Sequence, residues 1–322
     1  MKKIAVFTSG GDAPGMNACI RAVVRTSISK GMQAVGIRRG FQGMIDGDFW
    51  EMQPYSVSNI IQLGGTILRS ARSQDFRTAE GRQKAYDNLK AQGIDGVVAI
   101  GGDGTFTGAS IFMQEHPDIA MVGCPGTIDN DLYGTDYTIG YDTAINTAMD
   151  AIDNIKDTAN AHDRLFFVEV MGRDAGFIAL NVGLATGAEA VLVPESRTDV
   201  DSLIDTLNAN YSKKKNSSIV VVAEGDDAGG AFKIAEEVKK HCPYETKVTV
   251  LGHVQRGGRP TCIERVRASR MGLAAVNALL DGKSGVMIGE IKGETAYTPF
   301  ENAIKHHNEI NPTMLEMVEI LA

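Results

Sequence analysis

The stretch GVVAIGGDGTFTGAS, residues 96–110, begins as a strand, turns on glycines and continues as a helix. Its first six residues are almost all apolar, as in a strand that is buried on both faces. The turn GGDGT has the glycines of a phosphate-binding loop, yet Asp103 stands where a polyanion would lie and no lysine follows. The stretch therefore predicts a buried parallel strand whose end meets a ligand.

The same alternation of strand-like and helix-like segments continues through the whole chain. Most of the strand-like segments are continuously apolar, which is typical of parallel strands covered by helices. Nine such segments are more than one compact sheet comfortably holds, so we expect two domains. The predicted strands are 3–8, 34–39, 96–101, 119–124, 165–171, 190–195, 218–224, 247–252 and 285–291, and the clearest predicted helices are 80–93, 141–159 and 264–282.

The composition argues against several classes of protein. Apolar residues make up 43% of the 322 residues and charged residues 22%, which is ordinary for a globular protein. The net charge of −8 argues against a general nucleic-acid binder. The four cysteines form no CxxC pair, and no apolar run is long enough for a signal peptide or a membrane span. We therefore expect a cytoplasmic enzyme without a nucleic-acid or membrane partner.

Unusual loops begin where five of the predicted strands end. Ligands of parallel α/β folds bind at the carboxyl ends of the strands, so these loops can line one crevice. They have the sequences SGGDAPGMN after the first strand, GGDGT after the third, PGTIDND after the fourth, MGRDAG after the fifth and GHVQRGGRP after the eighth.

Asp103, in the middle of the GGDGT turn, is suited to hold Mg²⁺. A carboxylate repels a phosphate directly, but Mg²⁺ binds carboxylate oxygens and bridges phosphate groups. Gly101, Gly102 and Gly104 let the backbone approach a phosphate, and the helix that follows offers free N–H groups. The alternative is an ordinary turn in which Asp103 caps the helix.

Asp129 and Asp131, in the turn PGTIDND, are candidates for general-base catalysis. A carboxylate at a strand end can take the proton of an attacking hydroxyl, although an Asx-rich surface turn is the alternative. Cations for phosphate groups come from loops that contain glycine, and arginine is suited to bidentate phosphate contacts. These basic residues are Arg69, Arg72 and Arg77 in one loop, Arg173 in a second, and His253, Arg256 and Arg259 in a third. Together these groups predict a kinase that acts on a phosphorylated small molecule.

The order and spacing of the loops resemble those of bacterial ATP-dependent 6-phosphofructokinases, from residue 2 to about residue 290. The resemblance is carried by TSGGDAPGMN, GGDGT, PGTIDND, GTDYTIGYDTA, VEVMGR and LGHVQRGG. It implies an α/β fold of two domains, each a mainly parallel sheet sandwiched by helices, with the active site in the crevice between them. The larger, nucleotide-binding domain would comprise 1–140 and 254–303, and the smaller, sugar-phosphate-binding domain 141–253 and 304–322.

The resemblance also implies roles for individual residues. Asp103 would hold Mg²⁺, Asp129 would take the proton of the sugar's 1-hydroxyl, and Arg72 would stabilise the phosphoryl group in transfer, with Thr127 and Arg173 also catalytic. The ATP contacts would be Gly10, Arg72, Ser73, Gly102, Asp103, Gly104 and Thr105, although the family usually has a larger residue at Ser73. The fructose 6-phosphate contacts would be Thr127, Ile128, Asp129, Met171, Gly172, Arg173, Glu224, His253, Val254, Gln255 and Arg256.

Two further cations for the 6-phosphate would come from a neighbouring subunit, which implies an oligomer, typically a homotetramer. They are Arg164 and Lys247, the second of which stands in place of the usual arginine. Lysine keeps the charge but loses the planar fork of the guanidinium.

An effector pocket of the same family is only partly preserved. Pro54 and Asn216 stand where charged residues are expected, and Lys156 replaces an arginine. We therefore expect a weak response to a diphosphate activator and to phosphoenolpyruvate. The residues that match the pocket are Arg21, Arg25, Lys156, Glu189, Lys213 and Lys215.

Other functions have distinct sequence marks. Pyrophosphate-dependent enzymes of the same fold typically have Asp at the position of Gly104 and Lys at that of Gly126, and both side chains would crowd or repel a nucleotide. A non-catalytic, ligand-sensing homologue would be expected to lack Asp103, Asp129 or Arg72. NAD kinases share only the GGDGT loop. We therefore expect phosphoryl transfer from ATP to fructose 6-phosphate, with the pyrophosphate-dependent enzyme as the alternative.

Overall fold

The computed structural model describes residues 1–162, 164–212 and 218–321. Within these residues the chain folds into two compact units, each with a sheet of its own. The larger unit comprises Met1–Ile128, Leu132–Thr143 and Arg256–Asn308, and the smaller unit comprises Asp129–Asp131, Ala144–Gln255 and Glu309–Ala322.

Strands and helices alternate along most of the described chain. The strands are β1 (Lys3–Thr8), β2 (Gln33–Ile37), β3 (Phe49–Met52), β4 (Gly96–Gly101), β5 (Ala120–Thr127), β6 (Ile139–Gly140), β7 (Arg164–Val170), β8 (Ala190–Leu192), β9 (Ser218–Ala223), β10 (Glu245–Val250), β11 (Val286–Ile291) and β12 (Glu294–Pro299). The helices are α1 (Met16–Ser29), α2 (Gly40–Asp46), α3 (Ala79–Ala91), α4 (Asp103–Glu115), α5 (Tyr141–His162), α6 (Phe177–Thr186), α7 (Val200–Ser212), α8 (Gly230–His241), α9 (Cys262–Leu280), α10 (Phe300–Lys305) and α11 (Pro312–Leu321).

The sheet of the larger unit is mainly parallel. Its strands lie in the order β12-β11-β5-β4-β1-β2-β3, and β6 pairs with the end of β5. The two edge strands, β3 and β12, are antiparallel to their neighbours. The central strands β1 and β4 are buried along almost their whole length, as their apolar sequences predict.

The carboxyl ends of three central strands lie side by side in this sheet. Thr8 at the end of β1 pairs with Ile100 of β4, and Gly101 at the end of β4 pairs with Pro125 of β5. The loops SGGDAPGMN, GGDGT and PGTIDND therefore begin at one edge of the sheet. The register of these strands therefore brings the starts of the three loops together.

The sheet of the smaller unit is parallel throughout, with its strands in the order β10-β7-β9-β8. Val170 at the end of β7 pairs with Ala223 at the end of β9, and Val250 at the end of β10 pairs with Glu169. The loops MGRDAG, EGDDAGG and GHVQRGG consequently begin at one edge of this second sheet.

Each unit has an apolar core that fixes its sheet. In the larger unit, aromatic rings pack in pairs, with ring centroids 4.0 Å apart for Phe41 and Phe76 and 5.0 Å apart for Phe106 and Phe300. In the smaller unit, side chains of β7 and β9 pack against α7 and α8. These buried contacts make the strand ends rigid platforms for the loops.

The predicted fold class, mainly parallel sheets flanked by helices, is confirmed. All nine predicted strands and the three predicted helices are present, with strand ends that differ by at most three residues. The sequence did not predict β3, β6 or β12. The edge strand β12 is polar and half-exposed, so it lacks the apolar run of a central strand, although the turn before it, Lys292–Gly293 with both φ angles positive, is a hairpin signal.

None of the helices in the described part of the chain is both long enough and apolar enough to cross a lipid bilayer.

Candidate active site

The loop after β1 is held by side chains from outside it. Ser70 Oγ donates a hydrogen bond to the carbonyl of Gly10 (2.6 Å), and Arg256 Nη1 reaches the carbonyl of Asp12 at 3.5 Å. A Cβ on Gly11 would lie 2.4 Å from Arg256 Nη1. A larger residue than glycine at position 11 would collide with the Arg256 guanidinium. The loop therefore has a cation beside it.

The GGDGT turn leads from β4 directly into α4. A Cβ on Gly101 would lie 2.3 Å from Thr105 Oγ1, so only glycine fits there, whereas a Cβ on Gly104 would meet no atom within 4 Å. Gly102 is the last residue before the helix, and Asp103 and Gly104 stand in its first turn. Because the first N–H groups of a helix have no intrahelical partner, the open space at Gly104 suits an anion.

Asp103 has a buried carboxylate oxygen that is available to a metal ion. Its Oδ1 is buried, and among the described residues it accepts no hydrogen bond. A carboxylate oxygen in this state fits a hard cation such as Mg²⁺. Within the described part of the chain no group of three or more His, Cys, Asp or Glu side chains is arranged for a metal, so Mg²⁺ would need oxygens from a phosphate ligand as well.

The end of β5 is packed more tightly than the GGDGT turn. A Cβ on Gly126 would lie 2.9 Å from Met16 Cε, so packing within the protein already explains this glycine. The carbonyl of Thr127 accepts a hydrogen bond from Thr138 Oγ1 (2.6 Å). Ile128 is fully buried, so its side chain offers no surface to a ligand. Of the two glycines expected to leave room for a nucleotide, Gly104 is the one with open space beside it.

Arg72 and Ser73 lie in the segment that precedes a short 3₁₀ helix, Asp75–Arg77. Arg72 is exposed, and it forms no ion pair with any described residue. The hydroxyl of Ser73 donates to Gln42 Oε1 (2.8 Å) and accepts from the backbone N–H of Phe76 (3.1 Å). Arg72 is thus available to a ligand, whereas the Ser73 hydroxyl is already engaged within the protein.

In the smaller unit, Asp129 forms an ion pair with Arg173. Asp129 is 2% exposed, and its Oδ2 lies 3.6 Å from Arg173 Nε. Arg173 has a left-handed backbone (φ 53°), which is uncommon outside glycine and Asn. The pair therefore holds a buried carboxylate in place next to an exposed guanidinium.

The turn that carries Met171, Gly172 and Arg173 is supported by two side chains. Glu224 Oε1 accepts hydrogen bonds from the N–H groups of Gly172 (3.3 Å) and Arg173 (2.8 Å). Gln255 accepts from the N–H of Met171 (3.2 Å) and donates to the carbonyl of Gly252 (3.0 Å).

The side chain of Gln255 is engaged within the protein. Gln255 is fully buried and both ends of its amide bond the backbone, so it supports the turn. Glu224 is exposed, which leaves its second oxygen open to a substrate. His253 and Val254, in the short 3₁₀ helix Gly252–Arg256, are exposed.

Arg164 and Lys247 come together on one carboxylate. Arg164 Nε lies 2.9 Å from Glu245 Oε2, and Lys247 Nζ lies 2.7 Å from Glu245 Oε1. The hydrogen bonds from Lys247 and Arg164 lower the pKa of Glu245 to about 2. The parallel pairing of Arg164 with Glu245 across β7 and β10 produces this cluster, whose two cations and one anion leave a net positive charge.

The residues expected to bind an effector differ in their exposure and in their contacts within the protein. Arg21 and Arg25 lie one turn apart on α1, and Arg25 is exposed. Lys156 Nζ donates to the carbonyls of Thr186 and Gly187, at the C-terminal end of α6. Glu189 is 7% exposed and accepts from Asn210 (2.7 Å). Lys213, Lys215 and Asn216 lie outside the described residues.

The sequence analysis missed a buried carboxylate, Glu264, in the first turn of α9. It is 2% exposed, and its Oε2 accepts hydrogen bonds from the N–H (3.2 Å) and the hydroxyl (3.3 Å) of Thr143. Burial raises the pKa of Glu264 to about 7, the nearby Asp142 adds to the rise, and hydrogen bonds from Gly140 and Thr143 oppose it. The spacing of Thr261 and Glu264 is that of a capping box, and Thr261 Oγ1 does accept from the N–H of Glu264 (3.1 Å).

Known proteins resemble this chain over its full length. Residues 3–279 match the phosphofructokinase family. ATP-dependent 6-phosphofructokinase 1 of Thermus thermophilus is 58% identical over 322 residues, all of both chains. ATP-dependent 6-phosphofructokinase 2 of Bacteroides thetaiotaomicron is 55% identical over 323 residues, 100% of this chain and 99% of its own. A solved structure of phosphofructokinase from Saccharomyces cerevisiae has a TM-score of 0.91 and 37% identity; the match covers 95% of this chain and 45% of that one.

We predict that Glu264 makes the free energy of unfolding depend on pH. Its pKa is about 7 in the folded protein and about 4.3 in an unfolded chain, so the folded state holds the proton more tightly. The resulting stabilisation is complete below the unfolded pKa and is lost as the pH rises through 7, with a full size on the order of 3 kcal/mol.

Urea unfolding of wild type and Glu264→Gln between pH 5 and pH 8 measures this effect. Because Gln does not ionise, the variant should lose less stability than wild type over that interval. Glu316→Gln, at an exposed position on α11, is the matched control and should follow wild type. A Glu264→Gln curve parallel to that of wild type would contradict the assignment.

Proposed function

Because the chain belongs to the phosphofructokinase family, we propose that it transfers the γ-phosphate of ATP to the 1-hydroxyl of fructose 6-phosphate. The products are fructose 1,6-bisphosphate and ADP, a reaction of glycolysis, and we propose the cytoplasm as its location. The observation that carries the proposal is the 58% identity, over all of both chains, with an ATP-dependent 6-phosphofructokinase.

The phosphoryl donor is ATP rather than pyrophosphate. Relatives that are 49–58% identical over all of this chain are named ATP-dependent 6-phosphofructokinases. The open space at Gly104 agrees with a nucleotide donor, since an Asp side chain at that position would extend into the space.

We assign the nucleotide to the larger unit. Gly10 and Gly102 lie in the two loops that leave β1 and β4, Gly104 and Thr105 lie in the first turn of α4, and the free N–H groups at the start of this helix suit the phosphates. Asp103 would hold Mg²⁺ through its buried Oδ1. The ion would neutralise phosphate charge during the transfer. Arg72, exposed and without an ion pair among the described residues, would bind the phosphoryl group.

We assign the sugar to the smaller unit, with Asp129 as the general base. Asp129 would take the proton of the 1-hydroxyl as that oxygen attacks the γ-phosphorus, and Arg173 would keep the carboxylate oriented through their ion pair. Glu224 would hold the turn of Met171 to Arg173 with one oxygen and the sugar with the other. Thr127, which we also assign to the sugar, stands two residues before Asp129.

We further propose that the 6-phosphate binds His253 and Arg256 of one subunit and Arg164 and Lys247 of a neighbouring one, in a homotetramer. Arg164 and Lys247 both contact Glu245, so their two positive charges already lie close together, which supports this assignment. Light scattering of the purified protein measures the molar mass, and a monomer at assay concentration would disprove the shared site.

We predict that Asp129→Ser lowers kcat by about 10²–10⁴-fold, the usual cost of losing a general base, with a smaller effect on substrate binding. Stopped-flow or coupled assays of fructose 1,6-bisphosphate formation measure the loss. Asp153→Ser, at an exposed carboxylate on α5, is the control and should keep wild-type kcat. An Asp129→Ser enzyme within a few-fold of wild type would remove Asp129 from the mechanism.

We predict that Gly104→Asp impairs the use of ATP while the fold is kept. A Cβ at this position would meet no protein atom within 4 Å, so we expect the effect of Asp to come from crowding and repelling the ligand. The test runs wild type, Gly104→Ala and Gly104→Asp with ATP and with pyrophosphate, at saturating fructose 6-phosphate.

Three outcomes of this test are informative. Wild type should turn over with ATP and not with pyrophosphate, and the KM for ATP should rise by tenfold or more in Gly104→Asp but little in Gly104→Ala. Turnover of wild type with pyrophosphate alone would overturn the proposed donor. An unchanged KM for ATP in Gly104→Asp would show that this loop does not contact the nucleotide.

We predict that millimolar ADP and phosphoenolpyruvate change the fructose 6-phosphate saturation curve little. Pro54 carries no charge, and Lys156 is engaged with the carbonyls of Thr186 and Gly187, so two expected contacts to an anionic effector are missing. Each missing charged contact costs about tenfold or more in affinity.

The measurement titrates each effector at subsaturating fructose 6-phosphate and neutral pH, with ADP competition at the ATP site controlled. A Pro54→Arg, Lys156→Arg double variant restores both arginines and should respond more strongly than wild type. A shift of half-saturation by tenfold or more in wild type would show that these substitutions have not weakened the pocket.

A further inference from the structure

The larger unit contains a cavity of about 440 Å³ whose wall is rich in arginine. Arg38 and Arg39 follow β2, Trp50 lies on β3, and Arg69 belongs to the segment after β3. Neither Asp103 nor Arg72 lines this cavity, nor does any other residue assigned above to ATP or the sugar phosphate. Its volume lies in the range of small-molecule sites, about 300–1,000 Å³.

Hydrogen bonds to the backbone hold the two segments that carry Arg39 and Arg69 in place. Arg39 and Arg69 both have left-handed backbones, with φ angles of 60° and 58°. The N–H of Arg39 donates to the carbonyl of Leu68 (2.8 Å), and Thr8 Oγ1 donates to the carbonyl of Arg69 (2.9 Å). The segments that carry the two guanidiniums are therefore tied together, in a conformation that non-glycine residues seldom adopt.

The charges of the cavity wall are not balanced. Asp48 is the one carboxylate that lines it, 3.4 Å from Arg39 Nη2 and 3.8 Å from Arg38 Nη1. Arg39 also reaches Asp46, which does not line the cavity. Arg69 forms no ion pair with any described residue, so the three guanidiniums face two carboxylates and one positive charge is left over.

The indole of Trp50 is in contact with one of these cations. The Arg38 guanidinium lies 5.0 Å from the centroid of the Trp50 ring, a cation–π arrangement. The position of Arg38 is therefore coupled to the environment of the indole. We therefore expect an anion that binds Arg38 to change that environment.

We propose that this cavity binds a small phosphate-bearing dianion, at a site separate from the catalytic loops. A phosphate monoester carries a charge of about −1.5 to −2 and is attracted by the excess positive charge, which Arg69 carries. Guanidinium groups bind phosphate oxygens in bidentate pairs, and three of them converge here. Arg69, grouped with Arg72 and Arg77 on sequence grounds, serves this second anion.

Trp50 provides a direct measurement, because it is the only tryptophan of the chain. Its emission is recorded while the full-length protein is titrated with inorganic phosphate, glycerol 3-phosphate or AMP, and with KCl at matched ionic strength. The expected result is a saturable change with the phosphate compounds and none with KCl. The compound that binds most tightly distinguishes free phosphate from a phosphate ester.

Substitutions in the cavity wall should change the affinity for phosphate in opposite directions, according to the charge that is removed. Arg38→Gln and Arg69→Gln each remove a guanidinium and should weaken binding by about tenfold or more. Asp48→Asn removes the competing carboxylate and should tighten binding. Arg197→Gln, an exposed arginine of the smaller unit, is the matched control and should leave the titration unchanged.

Isothermal calorimetry on the same proteins detects binding that leaves the indole emission unchanged. Arg256→Gln separates this site from the catalytic loops, and the response of Trp50 should survive it. The proposal is overturned if phosphate binding is the same in wild type, Arg38→Gln and Arg69→Gln by both measurements. It is also overturned if Arg256→Gln abolishes the response of Trp50.

Discussion

The parallel register of β4 with its two neighbours is the constraint on which the site of the larger unit depends. Ile100 pairs with Thr8 on one side and with Cys124 on the other, so three loops leave the sheet at one level. Loops that leave together crowd one another, and a Cβ on Gly101 would lie 2.7 Å from the carbonyl of Ser9. The glycines of the site are thus a consequence of the register as well as a means of admitting a ligand.

Much of this architecture could be predicted from the sequence, because strands buried on both faces need continuous apolar runs. The central strands β1, β4 and β9 have such runs and were found with their ends nearly correct. The sequence does not predict β3 or β12, because β3 is only four residues long and β12 is half-exposed with few apolar residues. In the larger sheet the pattern therefore predicts the central strands better than these two edge strands, whereas both edge strands of the smaller sheet, β8 and β10, are predicted.

The loops could be located from the sequence, but the direction of each side chain could not. Gln255 and Ile128 lie in segments that carry candidate functional residues, yet both are fully buried, and Gln255 accepts a hydrogen bond from the N–H of Met171. The Ser73 hydroxyl donates a hydrogen bond to Gln42 and accepts one from the N–H of Phe76. The sequence shows where a residue stands in a motif, but its exposure depends on packing against distant parts of the chain, as Gln255 packs against Met171, 84 positions before it.

The net charge of −8 is compatible with anionic ligands, because charges act over short distances in salt solution. At physiological ionic strength interactions are screened beyond about 8 Å, so the few groups within that distance decide what binds. In the smaller unit, Glu245 holds Arg164 and Lys247 together and leaves one positive charge over. In the larger unit, Asp46 and Asp48 pair with Arg38 and Arg39, and Arg69 is left without an ion pair among the described residues. In both places carboxylates reduce the repulsion between cations without cancelling all of their charge, and a cationic cluster can therefore persist on an acidic protein.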